Sequence, residues 1–336
     1  MSSILLIYTG GTIGMMENES GNLVPFEFAS LQDNVPELRR FKYKIDSISF
    51  DQPIDSSDVS IAHWQHIAGI IEEHYEGYDG FVILHGTDTM SYSAAALSFM
   101  LENLGKPVIF TGSQLPIGQL RTDGKENLIT AIEIAAAKQN GLPRVNEVCI
   151  YFQSQLFRGN RTHKYNTENF DAFESANLDS LADVGIHISY REELLLPRPA
   201  GKFSVRSTMD NNVAVLKIFP GISEQVVNAI LDVPGLKAVV LETYGSGNSS
   251  RDQWFTNALK KAIQKGIIIM NVSQCNKGMV EQGRYETSTA LKQNGVITGG
   301  DITTEAALAK LMFLLGNASP DIAQLLAIPL RGELSA

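Results

Sequence analysis

The sequence predicts an α/β fold, with a larger N-terminal domain built on a parallel sheet and a smaller α/β domain after it. Three observations predict it. Short apolar, often β-branched runs alternate with helical stretches, the pattern of a parallel sheet covered on both faces. The 336 residues suit two domains of about 100–200 residues each. The alternation lapses over "REELLLPRPAGKFSVRSTMDNN", residues 191–212, where Pro197, Pro199 and Gly201 interrupt it. The expected division is therefore 1–190, a linker at 191–212, and 213–336.

The elements follow in order. Ile4–Tyr8 reads as the first strand, His63–Tyr75 as a helix and Phe81–Leu84 as the next strand. Helix Ser91–Glu102, strand Val108–Phe110, helix Asn127–Lys138 and strand Val148–Phe152 complete the larger domain. Val213–Ile218, Ala238–Leu241 and Ile267–Val272 are the strands of the smaller one. Its last helix has an N-cap at Thr303-Thr304, with Ala306, Leu308, Ala309, Leu311, Met312 and Leu315 as its apolar positions.

Composition excludes several function classes. Hydrophobic residues make up 44% and charged residues 19%, which is ordinary for a chain with a large core. Lys plus Arg number 27 and Asp plus Glu 37, giving a formal net charge of -10. A phosphate backbone asks for a basic surface, so no nucleic-acid partner is expected. Cys149 and Cys275 sit in or just after apolar runs without a CxxC, and read as two reduced, buried thiols. No apolar stretch reaches about 18 residues, and no signal-like leader precedes the first strand. A cytoplasmic protein without a membrane partner is the expectation.

Several strands end in the same kind of tail: Tyr8-Thr9-Gly10-Gly11-Thr12, His85-Gly86-Thr87-Asp88-Thr89, Thr111-Gly112-Ser113-Gln114 and Tyr244-Gly245-Ser246-Gly247-Asn248. Glycine and threonine also make ordinary strand-to-helix turns. Four such tails past the carboxyl ends of strands point instead to a shared polar crevice. It is not a phosphate cradle. Gly10-Gly11-Thr12-Ile13-Gly14 lacks the spacing of GxGxxG, and no Gly-Lys-Ser/Thr follows.

A hydroxyl nucleophile is the alternative, and threonine needs a proton acceptor to become one. Thr87 has Asp88 beside it, and Lys164 lies in "FRGNRTHKYNTENFDAF" after the strand Val148–Phe152. A lysine accepts a proton only when something, typically burial, disfavours its charge, and a neighbouring carboxylate acts the other way. A solvated surface lysine is the plainer reading of that residue alone.

Thr9-Gly10-Gly11-Thr12-Ile13-Gly14, Asp55-Ser56-Ser57-Asp58, His85-Gly86-Thr87-Asp88-Thr89, Thr111-Gly112-Ser113-Gln114 and Arg158-Gly159-Asn160-Arg161-Thr162 together resemble the bacterial L-asparaginase (asparaginase/glutaminase) family, in its cytoplasmic type I branch. The likeness runs from the first strand to Leu330-Arg331-Gly332-Glu333-Leu334. It implies hydrolysis of L-asparagine to L-aspartate and ammonia, without cofactor or metal. It implies Thr12 as the nucleophile, and Thr87, Asp88 and Lys164 as a group that activates a hydroxyl or water and shuttles protons.

The resemblance further implies that Ser56, with Ser57 beside it, holds the substrate α-carboxylate, and that Asp88 holds the α-ammonium. Gly11 and Gly86 would offer oxyanion N–H groups. Asn248 would reach the site of a neighbouring subunit in a homodimer or a homotetramer. Some cytoplasmic relatives are allosteric enzymes that bind asparagine at a second site near this segment, which would put Arg158 and Thr162 there; structural or anion-binding roles are the alternative for Arg158 and Arg161. The residue types agree: an amino acid with two charged head groups needs an anion acceptor, a cation acceptor and a nucleophile side by side.

One departure stands out. The family carries a tyrosine on the loop after the first threonine, and here "MMENESGNLVPFEF" contains none. Asn22 or Leu23 occupies its neighbourhood, and Phe26 and Phe28 are the nearest aromatics, which cannot take a proton. Another group activates Thr12, or a bound water does, or Thr87 carries more of the chemistry. The missing tyrosine also keeps a non-catalytic amino-acid sensor open as an alternative. L-glutamine as a second substrate is a further one, since one methylene changes discrimination by only about 1–3 kcal/mol. His63 and His66, with His74 beyond them, read as surface or interface histidines rather than metal ligands.

Overall fold

The structure, a computed structural model, describes residues 2–17, 23–25, 35–283 and 286–335. Two compact units divide the chain: Met1–Ser175 with Asp179–Ser207, and Ala176–Leu178 with Thr208–Ala336.

The first unit is built on an eight-stranded sheet. Its strands are β1 (Ser3–Gly10), β2 (Lys44–Ile54), β3 (Gly80–Leu84), β4 (Val108–Thr111), β5 (Val148–Phe152), β6 (Gln155–Arg158), β7 (Ala182–Val184) and β8 (Ile188–Tyr190). Their order is β8-β7-β6-β5-β4-β3-β1-β2. β2, β1, β3, β4 and β5 are mutually parallel. Ile4 to Tyr8 and Phe81 to Leu84 are buried throughout, as strands covered on both faces must be. Helices α1 (Ile61–His74), α2 (Met90–Met100) and α3 (Gly124–Ala136) lie between these strands in the chain. α3 packs on β1, β3, β4 and β5, and α2 on β5.

The sheet departs from an all-parallel one at β5. Gln153 and Ser154 take φ of 44° and 66°, a two-residue turn that sends β6 back antiparallel to β5. β6, β7 and β8 then form an antiparallel extension. The Gln-Ser turn carries no glycine, so the hairpin has no sequence signal. β2 also differs from the apolar-run pattern: it is a polar, mostly exposed edge strand. The helix expected to run to Glu102 ends at Met100, because Leu101–Glu102 pairs with Ser204–Val205 as a short ladder.

The second unit holds a four-stranded parallel sheet in sequence order: β9 (Val213–Lys217), β10 (Ala238–Thr243), β11 (Ile268–Ser273) and β12 (Ile297–Thr298). α4 (Glu224–Leu231) and α5 (Gln253–Gln264) pack together, and Leu216, Val227, Leu241, Phe255 and Leu259 share one core with Ile269. After α6 (Glu286–Gln293), α7 (Thr304–Gly316) packs on β9, β10 and β11. The Thr303 side chain accepts from Ala306 N–H at 3.2 Å, the expected N-cap. Following α8 (Ile322–Leu326), the terminal Leu330-Arg331-Gly332-Glu333 segment is clasped by a buried ion pair. Lys310 on α7 meets Glu333, and both are fully buried. Lys310 also donates to the carbonyls of Leu326 and Ile328, while Glu333 accepts from Leu330 and Arg331 N–H.

Both thiols are free, but only Cys149 is buried. Cys275 is exposed, correcting the sequence expectation: β11 ends at Ser273, so Cys275 lies past the strand rather than in the sheet. His63 caps α1 by accepting the Ser60 N–H on Nδ1, and His66 meets Phe50 edge-on. Among the described residues no cluster of His, Cys, Asp and Glu could hold a metal ion, and no helix is long and apolar enough to cross a membrane.

Candidate active site

Three of the four glycine tails lie in the first unit, at the carboxyl ends of β1, β3 and β4. Glycine packing brings them together. A Cβ on Gly11 would lie 2.5 Å from both Cα and N of Gly86, so the Thr12 turn rests on the Gly86 backbone. Gly11 also has φ +84°, which side chains rarely adopt. A Cβ on Gly86 would lie 2.5 Å from Ser56 Oγ, and one on Gly112 would lie 2.4 Å from the His85 carbonyl. Gly11, Ser56, Gly86 and Gly112 therefore meet around one short stretch of backbone, residues 85–86.

Thr12 opens a 3-10 turn, Thr12–Gly14, and is half-buried. Tyr8, buried in β1, donates its hydroxyl to the Gly14 carbonyl at 3.1 Å and fixes the end of that turn. Burial pushes its phenol up to about 12, so it stays protonated. Thr9 is buried and donates to the Leu84 carbonyl at 3.0 Å, tying β1 to β3.

Thr87, half-buried, lies just past β3, with exposed Asp88 next to it. Lys164 arrives on the short strand His163–Lys164, which pairs with Phe173–Glu174. Its Nζ donates to Thr87 Oγ1 at 2.8 Å and to Asp88 Oδ1 at 2.6 Å. The Lys164 side chain is only 13% exposed, against 63% for Asp88. The lysine is therefore no solvated surface residue but a half-buried arm aimed at a hydroxyl.

Thr87 has a second partner that the sequence motifs do not assign. Its hydroxyl donates to Gln114 Oε1 at 3.3 Å, and Gln114 Nε2 donates to the Asn169 carbonyl at 3.1 Å. Asp123 seats Gln114 by accepting its backbone N–H on both carboxylate oxygens, at 3.1 and 3.0 Å. Burial pushes the Asp123 carboxyl above the usual range, although bonds from Gln114, Leu115 and Asn127 oppose this. The amide at the end of the third glycine tail was the available signal for Gln114.

Ser56 is buried, and its carbonyl accepts the Thr89 hydroxyl at 2.7 Å. Ser57 is exposed, and gives both its N–H and its hydroxyl to Asp55 Oδ1, each at 2.9 Å. Arg158 is buried and ion-paired with Glu147, and donates to the Leu194 carbonyl at 2.6 Å. Thr162 donates its hydroxyl to the Arg158 carbonyl at 2.7 Å.

The fourth tail lies in the second unit, just past β10. Tyr244 and Asn248 exchange backbone hydrogen bonds of 2.9 and 2.8 Å around Gly245 (φ 49°) and Gly247 (φ 102°). Asn248 is half-buried at the end of this tight turn. In the loop after Thr12, Leu23–Pro25 pairs with Met15–Glu17, while Asn22, Phe26 and Phe28 lie outside the described residues.

Comparison with known proteins identifies the family and the fold. A family model described as "Asparaginase, N-terminal" matches residues 3–196, and one described as "Glutaminase/Asparaginase C-terminal domain" matches residues 212–328. L-asparaginase 1 of Escherichia coli (strain K12) is 45% identical over 337 residues, covering 99% of this chain and 98% of that protein. The crystal structure of L-asparaginase I from Vibrio cholerae superposes with a TM-score of 0.91 at 40% identity, covering 100% of this chain and 99% of the other. The thermostable L-asparaginase from Thermococcus kodakarensis gives the same TM-score at 30% identity, covering 99% of each chain. Matched in both its halves and along its whole length, the chain belongs to the asparaginase family.

Proposed function

We propose that this protein is an L-asparagine amidohydrolase that releases L-aspartate and ammonia by threonine-based catalysis. One observation carries the reading: Lys164 reaches across 77 residues of sequence to place its Nζ 2.8 Å from the Thr87 hydroxyl, beside Asp88. A solvated lysine has no reason to be there. As arranged, Nζ donates to both partners, and the Thr87 proton points toward Gln114. Loss of one proton from Lys164 would turn Nζ into an acceptor at hydrogen-bond distance from Oγ1. That supplies the general base a threonine hydroxyl, or a water held by it, requires.

The rest of the site suits a small zwitterion with a side-chain amide. The Asp88 carboxylate is exposed enough to receive an α-ammonium. The buried Ser56 hydroxyl, next to Gly86, is a donor for the α-carboxylate. Ser57 would join it only after release from Asp55. Thr12 is the nucleophile in this reading, its turn lying against Gly86. The Gly11 N–H does not serve as an oxyanion donor as the resemblance implies, because it is given to the Ile54 carbonyl at 3.2 Å, which leaves the Gly86 N–H for that role. Tyr8, protonated and committed to the Gly14 carbonyl, does not replace the absent loop tyrosine.

Asn248 completes the site from a neighbouring subunit, so the active form is a dimer or a tetramer, in the cytoplasm. An effector at Arg158 and Thr162 would have to displace the buried Glu147 pair, because the guanidinium is already committed there. L-glutamine is the second substrate to test, through the ratio of kcat/KM for the two amides. The deciding experiment is ammonia release from L-asparagine by the purified protein. No release above the buffer blank from folded protein would leave the sensor reading, in which asparagine binds saturably without turnover.

A further inference from the structure

His85 is 1% exposed at the carboxyl end of β3, and its ring lies in a chain of buried polar atoms. Nδ1 is 2.7 Å from the Gly86 carbonyl, and Nε2 is 2.9 Å from Ser93 Oγ on α2. Trp64 on α1 donates its indole N–H to the same Oγ at 2.8 Å. A carbonyl only accepts, so Nδ1 carries the proton. In the neutral ring Nε2 is then the acceptor, so Ser93 turns its own proton to Nε2 while its oxygen accepts the indole N–H. One order satisfies every atom: Trp64 to Ser93, Ser93 to His85, His85 to Gly86.

The chain ends where the arms of the site touch. The peptide group is planar, so fixing the Gly86 carbonyl also fixes the direction of the Thr87 N–H and the start of the Thr87 side chain. The same backbone has Gly11 pressed against it and Ser56 Oγ alongside, with no room for a methyl group at either glycine. A tilt of this peptide would push on the Thr12 turn and on Ser56 while displacing Thr87.

We propose that His85 is a positioning residue, which through Nδ1–H and the Gly86 carbonyl holds the Gly86–Thr87 peptide in register with Gly11 and Ser56. The proposal rests on the amidohydrolase reading of this site. Burial brings the imidazole down to about 4, which fits a neutral strut and not a proton carrier near neutral pH.

The test compares His85→Leu, His85→Asn and Ser93→Ala, with kcat and KM for L-asparagine read from ammonia release and folding read from circular dichroism. His85→Leu lowers kcat by about 100-fold, the scale of an ångström-level misplacement, with KM changed by less than about threefold. His85→Asn offers an N–H near the place of Nδ1 and recovers about tenfold of that loss. Ser93→Ala unties Nε2 and lowers kcat by about 3–10-fold.

Folded His85→Leu with the wild-type kcat overturns the proposal. So does His85→Asn without recovery, or with the loss of a limb of the pH–rate profile. If His85→Leu does not fold, Ser93→Ala at the wild-type kcat overturns it. A separate readout is independent of turnover: nitrogen NMR of the wild-type imidazole shows the neutral Nδ1–H tautomer from about pH 5.5 to 8. An Nε2–H tautomer defeats the wiring even in an active enzyme. An inactive wild type with the Nδ1–H tautomer defeats the amidohydrolase reading instead.

Discussion

Thr87 and Thr12 stand on turns at the ends of neighbouring strands, but the two turns are held by different means. The Thr87 hydroxyl is bracketed by side chains, with Lys164 on one side, Gln114 on the other and Asp88 pinning the lysine. The Thr12 turn is held by shape: glycines at φ 134° and 84°, backbone contact with Gly86, and one phenol on the Gly14 carbonyl. The Thr87 arm fails when a polar atom is removed, and the Thr12 arm fails when a carbon is added. The Thr87 arm can exchange protons without moving, whereas the Thr12 arm can only present what the backbone aims.

The largest effects should come from breaking the polar arm. Lys164→Met removes both the donor to Thr87 and the partner of Asp88. It should lower kcat/KM for asparagine by about 10²–10⁴-fold, the range for a lost general base. Thr87→Val and Thr12→Val should each abolish measurable turnover with the fold intact. If only Thr87→Val is inactive, the nucleophile is Thr87, and the Thr12 arm is a binding wall. If both keep wild-type rates, the site is elsewhere.

The shape-held arm should break with a single methyl group. Gly11→Ala places a Cβ 2.5 Å from the Gly86 backbone, where neither side is a flexible side chain. It also forces alanine into φ +84°, ψ 171°, a region that costs about 1–3 kcal/mol by itself. A loss of about 3 kcal/mol in unfolding free energy is expected, with activity falling together with it. A Gly11→Ala variant with unchanged denaturant midpoint and kcat would show that the two arms are not in contact.

How much of this was legible in the sequence follows the same division. Thr87, Asp88 and Lys164 were legible because a hydroxyl past a strand end with an acid beside it is a local pattern, and the family likeness supplied the distant lysine. The parallel strands were legible because burial on both faces leaves uninterrupted apolar runs. The edge strand Lys44–Ile54 and the Gln153-Ser154 hairpin were not, since one is polar and the other lacks a turn glycine. Gln114 and His85 acquire their tasks only from contacts set by the folded sheet, 27 and 8 residues away. Cys275 was misjudged because an apolar run does not show where its strand stops.

Acid should separate the arms next, through stability. The His85 imidazole is brought from 6.5 to about 4 by burial, against the raising effect of its bond to the Gly86 carbonyl and with His63 adding to the lowering. The unfolded chain therefore binds a proton between about pH 6.5 and 4 that the folded one refuses. Stability from this residue is complete above about pH 6.5 and falls as pH drops, by about 3 kcal/mol on reaching pH 4. Asp123 works the other way, its carboxyl being raised by burial, while Asp46, Asp55, Asp79, Asp183 and Asp210, whose carboxyls are lowered, act in the same direction as His85, so the raw slope is a sum over several groups. Denaturant melts of wild type and His85→Asn at pH 7 and pH 4.5 isolate the histidine. Parallel curves would mean that burial does not control its protonation.

The smallest effect is the control for the methyl experiment. Gly69 lies exposed in the middle of α1, with nothing within 4 Å of where its Cβ would go. Gly69→Ala therefore adds the same carbon as Gly11→Ala without the clash or the strained backbone. In a helix interior that change stabilises by about 0.5–1 kcal/mol, because glycine loses more conformational freedom on folding. A higher denaturant midpoint at unchanged kcat would show that α1 tolerates an added carbon without disturbing the site. Loss of activity in Gly69→Ala would mean that strain in α1 reaches the site, with Trp64 on that helix and its bond to Ser93 the available route.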